Sequence, residues 1–260
     1  VGGTNAHVVV EEAPPDASAA CAAPIGRGRL LMVSGRTPEA VEANTARLAD
    51  HLADHPAGGT DGDLADVAYS LHATRRAFGI RRVAVATDTG EAVDALRSGD
   101  PARLPTRRIY SDRASVAFLF PGGATLHPGM GRGLHDHEPE YRRHIDAGLA
   151  RLRDRHGIDL APALFPEPGT EAEAMAVLEP PSRQLPAIFL VEYALARLLE
   201  SRGIVPRAMA GHSLGENTAA CLAGVMTFEE CLDLVVLRGA MMERAGPGGV
   251  VSVNLAAEHV

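Results

Sequence analysis

The sequence predicts an α/β fold, because short apolar runs alternate with longer segments whose apolar residues recur at helical spacing. The most informative of these transitions is at residues 204–222, where an apolar run passes into Gly211-His212-Ser213-Leu214-Gly215 and then into a helix-forming stretch. In residues 114–260 this alternation favours a mainly parallel sheet, with functional residues at the carboxyl ends of the strands.

Residues 29–110 are expected to form a small α/β unit. Thr37 is a helix N-cap, Pro38 suits the first helical position, and Glu39 gives the first turn an acidic residue. Four neighbouring arginines are more typical of a solvated face or an inter-domain contact than of a ligand site; they are Arg75, Arg76, Arg81 and Arg82. The strands predicted here are 30–34 and 82–86, the helices are 37–53, 63–71 and 89–98, and 56–62 is a loop.

Residues 114–260 are expected to carry the chemistry. An apolar strand at 115–120 runs into Pro121-Gly122-Gly123-Ala124, a turn whose backbone N–H groups can point at a ligand. Further strands are predicted at 204–210 and 250–255, and helices at 138–156, 185–201, 216–222 and 228–245.

The two ends of the sequence have different patterns. A glycine-rich turn and an alternating strand at 7–11 occupy residues 1–12, and residues 13–28 are a Pro/Ala/Gly-rich connector. The sequence does not begin with methionine and stops within an apolar segment, so we expect it to be a piece of a longer protein.

Composition excludes several classes. The net charge of −8 disfavours nucleic acid as a partner, and no apolar stretch reaches the roughly 18–20 residues of a membrane helix. The start lacks the features of a signal peptide. Cys21, Cys221 and Cys231 have spacings that argue against a disulfide scaffold or a metal site. We therefore expect a cytoplasmic protein without a membrane partner.

Ser213 is the candidate nucleophile. Strand, G-x-S-x-G and helix is the order of a nucleophile elbow, in which the serine sits on a strained turn above the end of a sheet. The backbone N–H of Leu214 and the Gly122-Gly123 turn could then hold an oxyanion. Arg238 could grip a carboxylate through two parallel hydrogen bonds, or could be a surface arginine paired with Glu229, Glu230 or Asp233. Position alone does not separate these two interpretations.

Three ordered blocks then resemble the acyltransferase domain of modular polyketide synthases, related to the malonyl-CoA:acyl-carrier-protein transacylases. They are FLFPGGATLHPGMGRGL at 118–134, GHSLGENTAACLAGVMTFEECLDLVVLRGAMM at 211–242 and PGGVVSVNLAAEHV at 247–260. Upstream, VGGTNAHVVVEEAP at 1–14 resembles the end of a ketosynthase domain, and LADVAYSLHATRRAFGIRRVAVA at 64–86 resembles the linker domain between ketosynthase and acyltransferase. The resemblance implies an α/β-hydrolase-like core and a ferredoxin-like small subdomain that is cut off at the C-terminus.

The resemblance also implies roles. Ser213 matches the nucleophile, Gly123 and Leu214 the oxyanion-hole amides, and Arg238 the arginine that binds the free carboxylate of malonyl-type units. His212, grouped with the substrate-binding residues, matches the histidine before the nucleophile and is interpreted as structural. His7 matches a ketosynthase histidine whose catalytic partners are absent.

Two departures from the family pattern matter. The family often has glutamine where this chain has Gly123, a change that a backbone donor survives. The general-base histidine of the family lies well beyond the serine, whereas this sequence ends at Val260 and His259 comes too early. Without a base a hydroxyl is a weak nucleophile, so we expect the fragment alone to lack full activity. The resemblance also implies an extender unit: methylmalonyl-selective members often have glutamine at the position of Leu214 and malonyl-selective members an aliphatic residue, which favours malonyl.

The implied activity is loading of a malonyl-type unit from acyl-CoA, through an ester on Ser213, onto the phosphopantetheine thiol of an acyl carrier protein during secondary metabolite biosynthesis. The expected partners are malonyl-CoA or a related acyl-CoA, the acyl carrier protein and the adjacent ketosynthase domain. The domain itself is expected to bind no cofactor or metal. The alternatives are a serine hydrolase, either of α/β-hydrolase or patatin type, and a non-catalytic docking or linker module.

Overall fold

The computed structural model describes residues 7–10, 28–55, 62–111, 115–246, 248, 253 and 255–256. The chain divides into two compact units, residues 1–113 and 114–260. Each unit buries its own apolar side chains in a separate hydrophobic core. No helix in the described ranges is both long enough and apolar enough to cross a membrane.

The first unit is a three-stranded antiparallel sheet covered by helices. Its strands are β1 (Arg29–Gly35), β2 (Ile80–Ala86) and β3 (Thr106–Arg108), with β2 in the centre. Its helices are α1 (Pro38–Asp54), α2 (Gly62–Ala73) and α3 (Thr89–Arg97). Leu31 and Ala84, which face each other across β1 and β2, are buried in the core with Val41 close to the start of α1.

The strands and helices predicted for this unit are confirmed to within two residues at nearly every boundary, and β3 is an addition. Helix α1 begins as predicted, because the hydroxyl of Thr37 accepts a hydrogen bond from the Ala40 N–H at 3.2 Å and Pro38 follows the cap. One member of the arginine cluster is not on a solvated face. Arg82 is mostly buried and pairs with Glu42 on α1 at 2.5 Å.

The second unit surrounds a two-stranded parallel sheet with helices. Strands β4 (Ala117–Phe120) and β5 (Ala208–Gly211) pair so that Phe120 lies opposite Gly211. A 3-10 turn, Gly123–Thr125, follows β4. The helices are α4 (Arg132–His137), α5 (Pro139–His156), α6 (Ala161–Leu164), α7 (Glu171–Leu178), α8 (Pro181–Ser201), α9 (Gly215–Leu222) and α10 (Phe228–Arg244).

Helix α8 is the central element of this unit. Most of its residues from Leu185 to Leu198 are buried, and it packs against α5, α9 and α10. Its largest buried side chain is Phe189, which stacks on Phe228 at the start of α10 with ring centroids 5.7 Å apart. The turn after β5 therefore lies on a helical layer whose position is fixed by a continuous core.

The mixed α/β fold and the parallel sheet are confirmed in the second unit, although some boundaries differ. Strand β5 begins at Ala208 instead of residue 204, because Pro206 lacks the N–H that a paired strand residue donates. Helices α4, α6 and α7 were not predicted.

The strand predicted at 7–11 is wrong where it can be examined. Residues 7–10 have no regular structure, and Val8, Val9 and Val10 are 81–96% exposed. A strand needs a neighbour for its backbone groups, and none pairs with them in the described ranges. Glu11 and most of the strand predicted at 250–255 lie outside these ranges.

Candidate active site

The turn between β5 and α9 has a strained backbone at its serine. Ser213 has φ of 54°, and among the described residues it is the one non-glycine residue with positive φ. For a residue with a Cβ this conformation costs roughly 1–2 kcal/mol. Such strain persists where the surrounding structure over-determines the backbone, and it concentrates at functional sites. The turn presents the Ser213 side chain at the surface.

Two glycines allow this turn to form. A Cβ at Gly211 would collide with the backbone of Gly215 and Glu216. A Cβ at Gly215 would collide with the carbonyl of Phe120 at the end of β4 and lie 2.6 Å from its carbon atom. The strand, the turn and the helix therefore approach one another at distances that exclude any other residue at these positions.

Unused backbone donors flank the serine. No side chain caps α9 in the described ranges, and the N–H groups of Leu214 and Gly123 have no acceptor there. The Gly122-Gly123 turn lies beside the elbow, since a Cβ at Gly122 would come within 3.4 Å of the Ser213 Cβ. Free N–H groups and the positive end of α9 are suited to an oxyanion.

Arg238 extends from α10 to the serine. Its Nη2 donates to Ser213 Oγ at 3.3 Å, and its Nη1 donates to the Ser213 carbonyl at 3.5 Å. A shorter bond of 2.8 Å joins Nη1 to Oδ1 of Asn217, one turn into α9. The structure therefore brings the predicted nucleophile and the predicted arginine together.

The surface ion pairs considered for Arg238 are not formed. Asp233 instead accepts hydrogen bonds from Arg151 and His156 and forms an ion pair with Arg155. The hydrogen bond from Arg151 holds the pKa of the Asp233 carboxyl below its usual range. Glu230 completes a capping box with Thr227. Within the described ranges Arg238 has no acidic partner, so its charge is available to a ligand.

Close packing fixes the helix that carries Arg238. A Cβ at the next residue, Gly239, would lie 2.6 Å from the Ser182 Cα at the start of α8. Helices α8 and α10 therefore touch through their backbones, one residue from the guanidinium. This contact limits how far Arg238 can move relative to the turn.

His212 and Leu214 flank Ser213 in the chain and make different contacts. The His212 N–H donates to the Phe120 carbonyl at 2.9 Å and so extends the pairing of β4 with β5. The Leu214 side chain is fully buried in the core of the second unit. No histidine ring bonds to Ser213 Oγ in the described part of the chain, and His259 lies outside it. His7 is exposed.

Two residues at the site were missed by sequence reasoning. Asn217 holds Arg238, and its place in the first turn of the helix that follows Ser213 is the signal that could have identified it. Gln184 on α8 occupies the space over Gly123, where a Cβ would lie 2.8 Å from its Oε1. A larger residue at 123 would require the Gln184 side chain to shift, and sequence spacing does not reveal that contact.

A buried hydrogen bond anchors α9 below the site. Thr218 Oγ1 donates to Glu192 Oε2 on α8 at 2.5 Å, and both residues are buried. Burial raises the pKa of the Glu192 carboxyl to about 7. The side chain lies beneath the turn and has no contact with Ser213 or Arg238 in the described ranges.

Comparison with known proteins identifies close similarities. Residues 117–260 match the family model described as acyl transferase domain, and residues 29–96 match one described as CurL-like, PKS C-terminal. The chain is 38% identical to a phenolphthiocerol/phthiocerol polyketide synthase protein of Mycobacterium tuberculosis, over 100% of this chain and 18% of that protein. Polyketide synthase GfsA of Streptomyces halstedii is 37% identical over 99% of this chain and 3% of its own length.

Solved structures give the same result. The acyl transferase domain of ZmaA superimposes with a TM-score of 0.73 and 34% identity, covering 84% of this chain and 49% of that one. The acyl transferase domain of SpnD, in complex with 2-(pent-4-yn-1-yl)malonyl, gives 0.70 and 41%, covering 85% and 50%. The chain thus spans about half of these solved domains and less than a fifth of the curated relatives.

Proposed function

The chain belongs to the acyl transferase domain family of polyketide synthases, and we propose from this premise that it loads a malonyl-type extender unit onto an acyl carrier protein. The acyl group is carried between coenzyme A and the phosphopantetheine thiol as an ester on Ser213. The neighbouring match at 29–96 supports a linker between this domain and a ketosynthase domain.

The observation that carries the proposal is the contact between an exposed serine and a guanidinium with no acidic partner in the described ranges, Arg238 Nη2 to Ser213 Oγ at 3.3 Å. A malonyl thioester has a carboxylate close to its reacting carbonyl carbon. When Arg238 binds the carboxylate, the carbonyl is held at the hydroxyl. The malonyl derivative bound in the SpnD domain supports a dicarboxylic acyl group.

The first half-reaction is attack of Ser213 Oγ on the thioester carbon. The N–H groups of Gly123 and Leu214 donate hydrogen bonds to the carbonyl oxygen and stabilise its developing negative charge. The C–S bond then breaks, and coenzyme A leaves as its thiol with the proton lost by the serine. We assign transfer of that proton to the histidine that the family resemblance places beyond residue 260.

In the second half-reaction the acyl group passes from Ser213 to the carrier protein. The sulfur of the carrier protein's phosphopantetheine thiol attacks the ester carbon on Ser213, and the same two N–H groups donate hydrogen bonds to the oxyanion. The bond from that carbon to Ser213 Oγ then breaks, the acyl group leaves as a thioester of the carrier protein, and the thiol proton passes to Oγ. No separate cofactor takes part, since both thiols belong to substrates. Malonyl remains our predicted extender unit, although burial of the Leu214 side chain excludes direct contact with the acyl group as its reason.

Radiolabelled malonyl-CoA incubated with the full-length protein tests the proposal. We expect Ser213→Ala to reduce the acyl label by at least about 1,000-fold, because the nucleophile is removed. Ser98→Ala, at the end of α3, serves as the matched control and should label normally. Equal labelling of wild type and Ser213→Ala would overturn the serine assignment.

The same experiment separates the alternatives. A labelled Ser213 that loses its acyl group to water faster than to the carrier protein would indicate a serine hydrolase. A wild-type protein that fails to react with a serine-directed probe would indicate a docking or linker module. Neither alternative is favoured by the family match at 117–260.

A further inference from the structure

We propose that Asn217 is a positioning residue that gives the Ser213 site its selectivity for acyl groups with a free carboxylate. It acts through Arg238, and the inference rests on the proposed function. Asn217 is half-buried on α9 and has no role in the two half-reactions described above.

Three bonds hold the guanidinium, and the one to Asn217 is the strongest by geometry. It measures 2.8 Å, whereas the bonds to Ser213 Oγ and to the Ser213 carbonyl measure 3.3 and 3.5 Å. Donor–acceptor distances near 2.8 Å are typical of charge-assisted bonds, and those beyond about 3.2 Å are weak. Asn217 is therefore the main anchor of the Arg238 head group.

Asn217 lies close to the nucleophile in the chain. Asn217 is the third residue of α9 and follows Ser213 by four positions, and the same guanidinium bonds to both residues. A second contact ties this turn to α10, because the Cys231 thiol donates to the Asn217 carbonyl at 3.4 Å. Arg238 is therefore held by a residue only four positions after the nucleophile, on a helix that is itself tied to α10.

The chemistry of asparagine matters as much as its position. A neutral amide oxygen orients a guanidinium without neutralising it, so the positive charge stays available to a carboxylate. An aspartate at 217 would pair with Arg238 and compete with the substrate. An apolar residue would leave the guanidinium without its shortest bond. Both substitutions should weaken the binding of acyl groups that carry a carboxylate and leave the binding of acyl groups without one unchanged.

The test compares malonyl-CoA with acetyl-CoA as acyl donors for the full-length protein. Asn217→Asp is the principal variant, because it has nearly the shape of asparagine. We expect the KM for malonyl-CoA to rise about 10- to 100-fold, the effect of losing a hydrogen bond to a charged group. Loading of acetyl-CoA should stay within about threefold of wild type. Asn217→Leu should reduce malonyl loading in the same direction.

A matched asparagine provides the control. Asn44 on α1 accepts from Arg47 Nη1 at 3.1 Å, so Asn44→Asp makes the same chemical change at an arginine in the other unit. It should leave the malonyl-to-acetyl ratio unchanged. Thermal unfolding shows whether each variant is folded. If Asn217→Leu does not fold, Asn217→Asp alone tests the inference.

The outcomes separate this inference from the proposed function. A wild-type protein that takes no malonyl label on Ser213 overturns the proposed function. A wild-type protein that is labelled, with an Asn217→Asp variant whose malonyl-to-acetyl ratio equals that of wild type, overturns the role of Asn217 alone. An equal fall in both donors also overturns it, because it would indicate a general structural role.

Discussion

Two strand-to-helix turns in this chain use a hydroxyl residue in opposite ways. In the first unit β1 ends at Gly35 and α1 begins at Pro38, with Thr37 between them. In the second unit β5 ends at Gly211 and α9 begins at Gly215, with Ser213 between them. Each turn contains a glycine at the end of its strand and a short polar side chain before its helix.

The hydroxyl of Thr37 stabilises its helix, whereas the hydroxyl of Ser213 is left available. Thr37 has an extended backbone and accepts from the Ala40 N–H, a cap that stabilises by about 1 kcal/mol. Ser213 has left-handed φ and contacts Arg238 instead of the helix. A turn that forgoes its cap and adopts a strained backbone is less stable locally, and that loss is the mark of a functional site.

The strained turn is held by contacts made elsewhere. Gly211 and Gly215 let its backbone pack without a Cβ, and Thr218 ties α9 to Glu192 beneath it. The buried threonine of α1, Thr45, donates within its own helix to the Val41 carbonyl at 2.7 Å. The cap of the first turn is thus a local bond, whereas the bond beneath the second turn is tertiary, a difference that mutations can test.

The largest effect is expected from Gly215→Ala. The added methyl would meet the Phe120 carbonyl, which is held in the sheet and cannot rotate away. We expect a loss of about 3 kcal/mol in the free energy of unfolding of the second unit, at the upper end of overpacking. Displacement of the turn by about 1 Å should also reduce acyl loading about 100-fold. Urea unfolding and the malonyl label measure the two effects.

Gly133→Ala in α4 is the matched control for this change. Nothing lies within 4 Å of a Cβ at that position, so alanine should raise stability by up to about 1 kcal/mol. If Gly215→Ala behaved like Gly133→Ala, the close approach of turn and strand would not be what holds the second turn.

The next largest effect on stability is expected from Glu192→Gln, which changes the buried acceptor of the Thr218 hydroxyl. The pKa of Glu192 is raised from 4.5 to about 7 by burial, so the folded state keeps a proton that the unfolded state has lost. Stability from this group is complete below pH 4.5 and falls as the pH rises to about 7. The loss amounts to about 3 kcal/mol, and Gln removes it. The stability advantage of Glu192→Gln over wild type should therefore be about 3 kcal/mol larger at pH 8 than at pH 4.

Glu42→Gln gives the opposite sign in the first unit. The hydrogen bond from Arg82 lowers the pKa of Glu42, so its contribution is present at neutral pH and is lost as the pH falls through the folded-state value. Urea unfolding of both variants at pH 4, 6 and 8 measures the two trends. A pH-independent difference for Glu192→Gln would mean that folding does not raise the pKa of this carboxyl.

The contrast between the turns also explains what sequence reasoning could and could not reach. The α1 cap and the order of strand, serine and helix depend on residues within a few positions of one another, so the pattern predicts them. The bonds that Arg238 makes to Asn217 and that Thr218 makes to Glu192 join residues 21 and 26 positions apart. They depend on how α8, α9 and α10 pack, which spacing alone does not give. Helices α4, α6 and α7 are short and lack the length over which periodicity is visible.

The smallest effects on the free energy of unfolding are expected from substitutions of the two turn residues, Thr37 and Ser213. Thr37→Ala removes a cap and should lower the free energy of unfolding of the first unit by about 1 kcal/mol, with no change in acyl loading. Ser213→Gly relieves a left-handed φ and should be about 1 kcal/mol more stable than Ser213→Ala, while both lose loading. Equal stability of the two Ser213 variants, measured by urea unfolding, would mean that the second turn is not strained. The contrast between the turns would then lie in the missing cap alone.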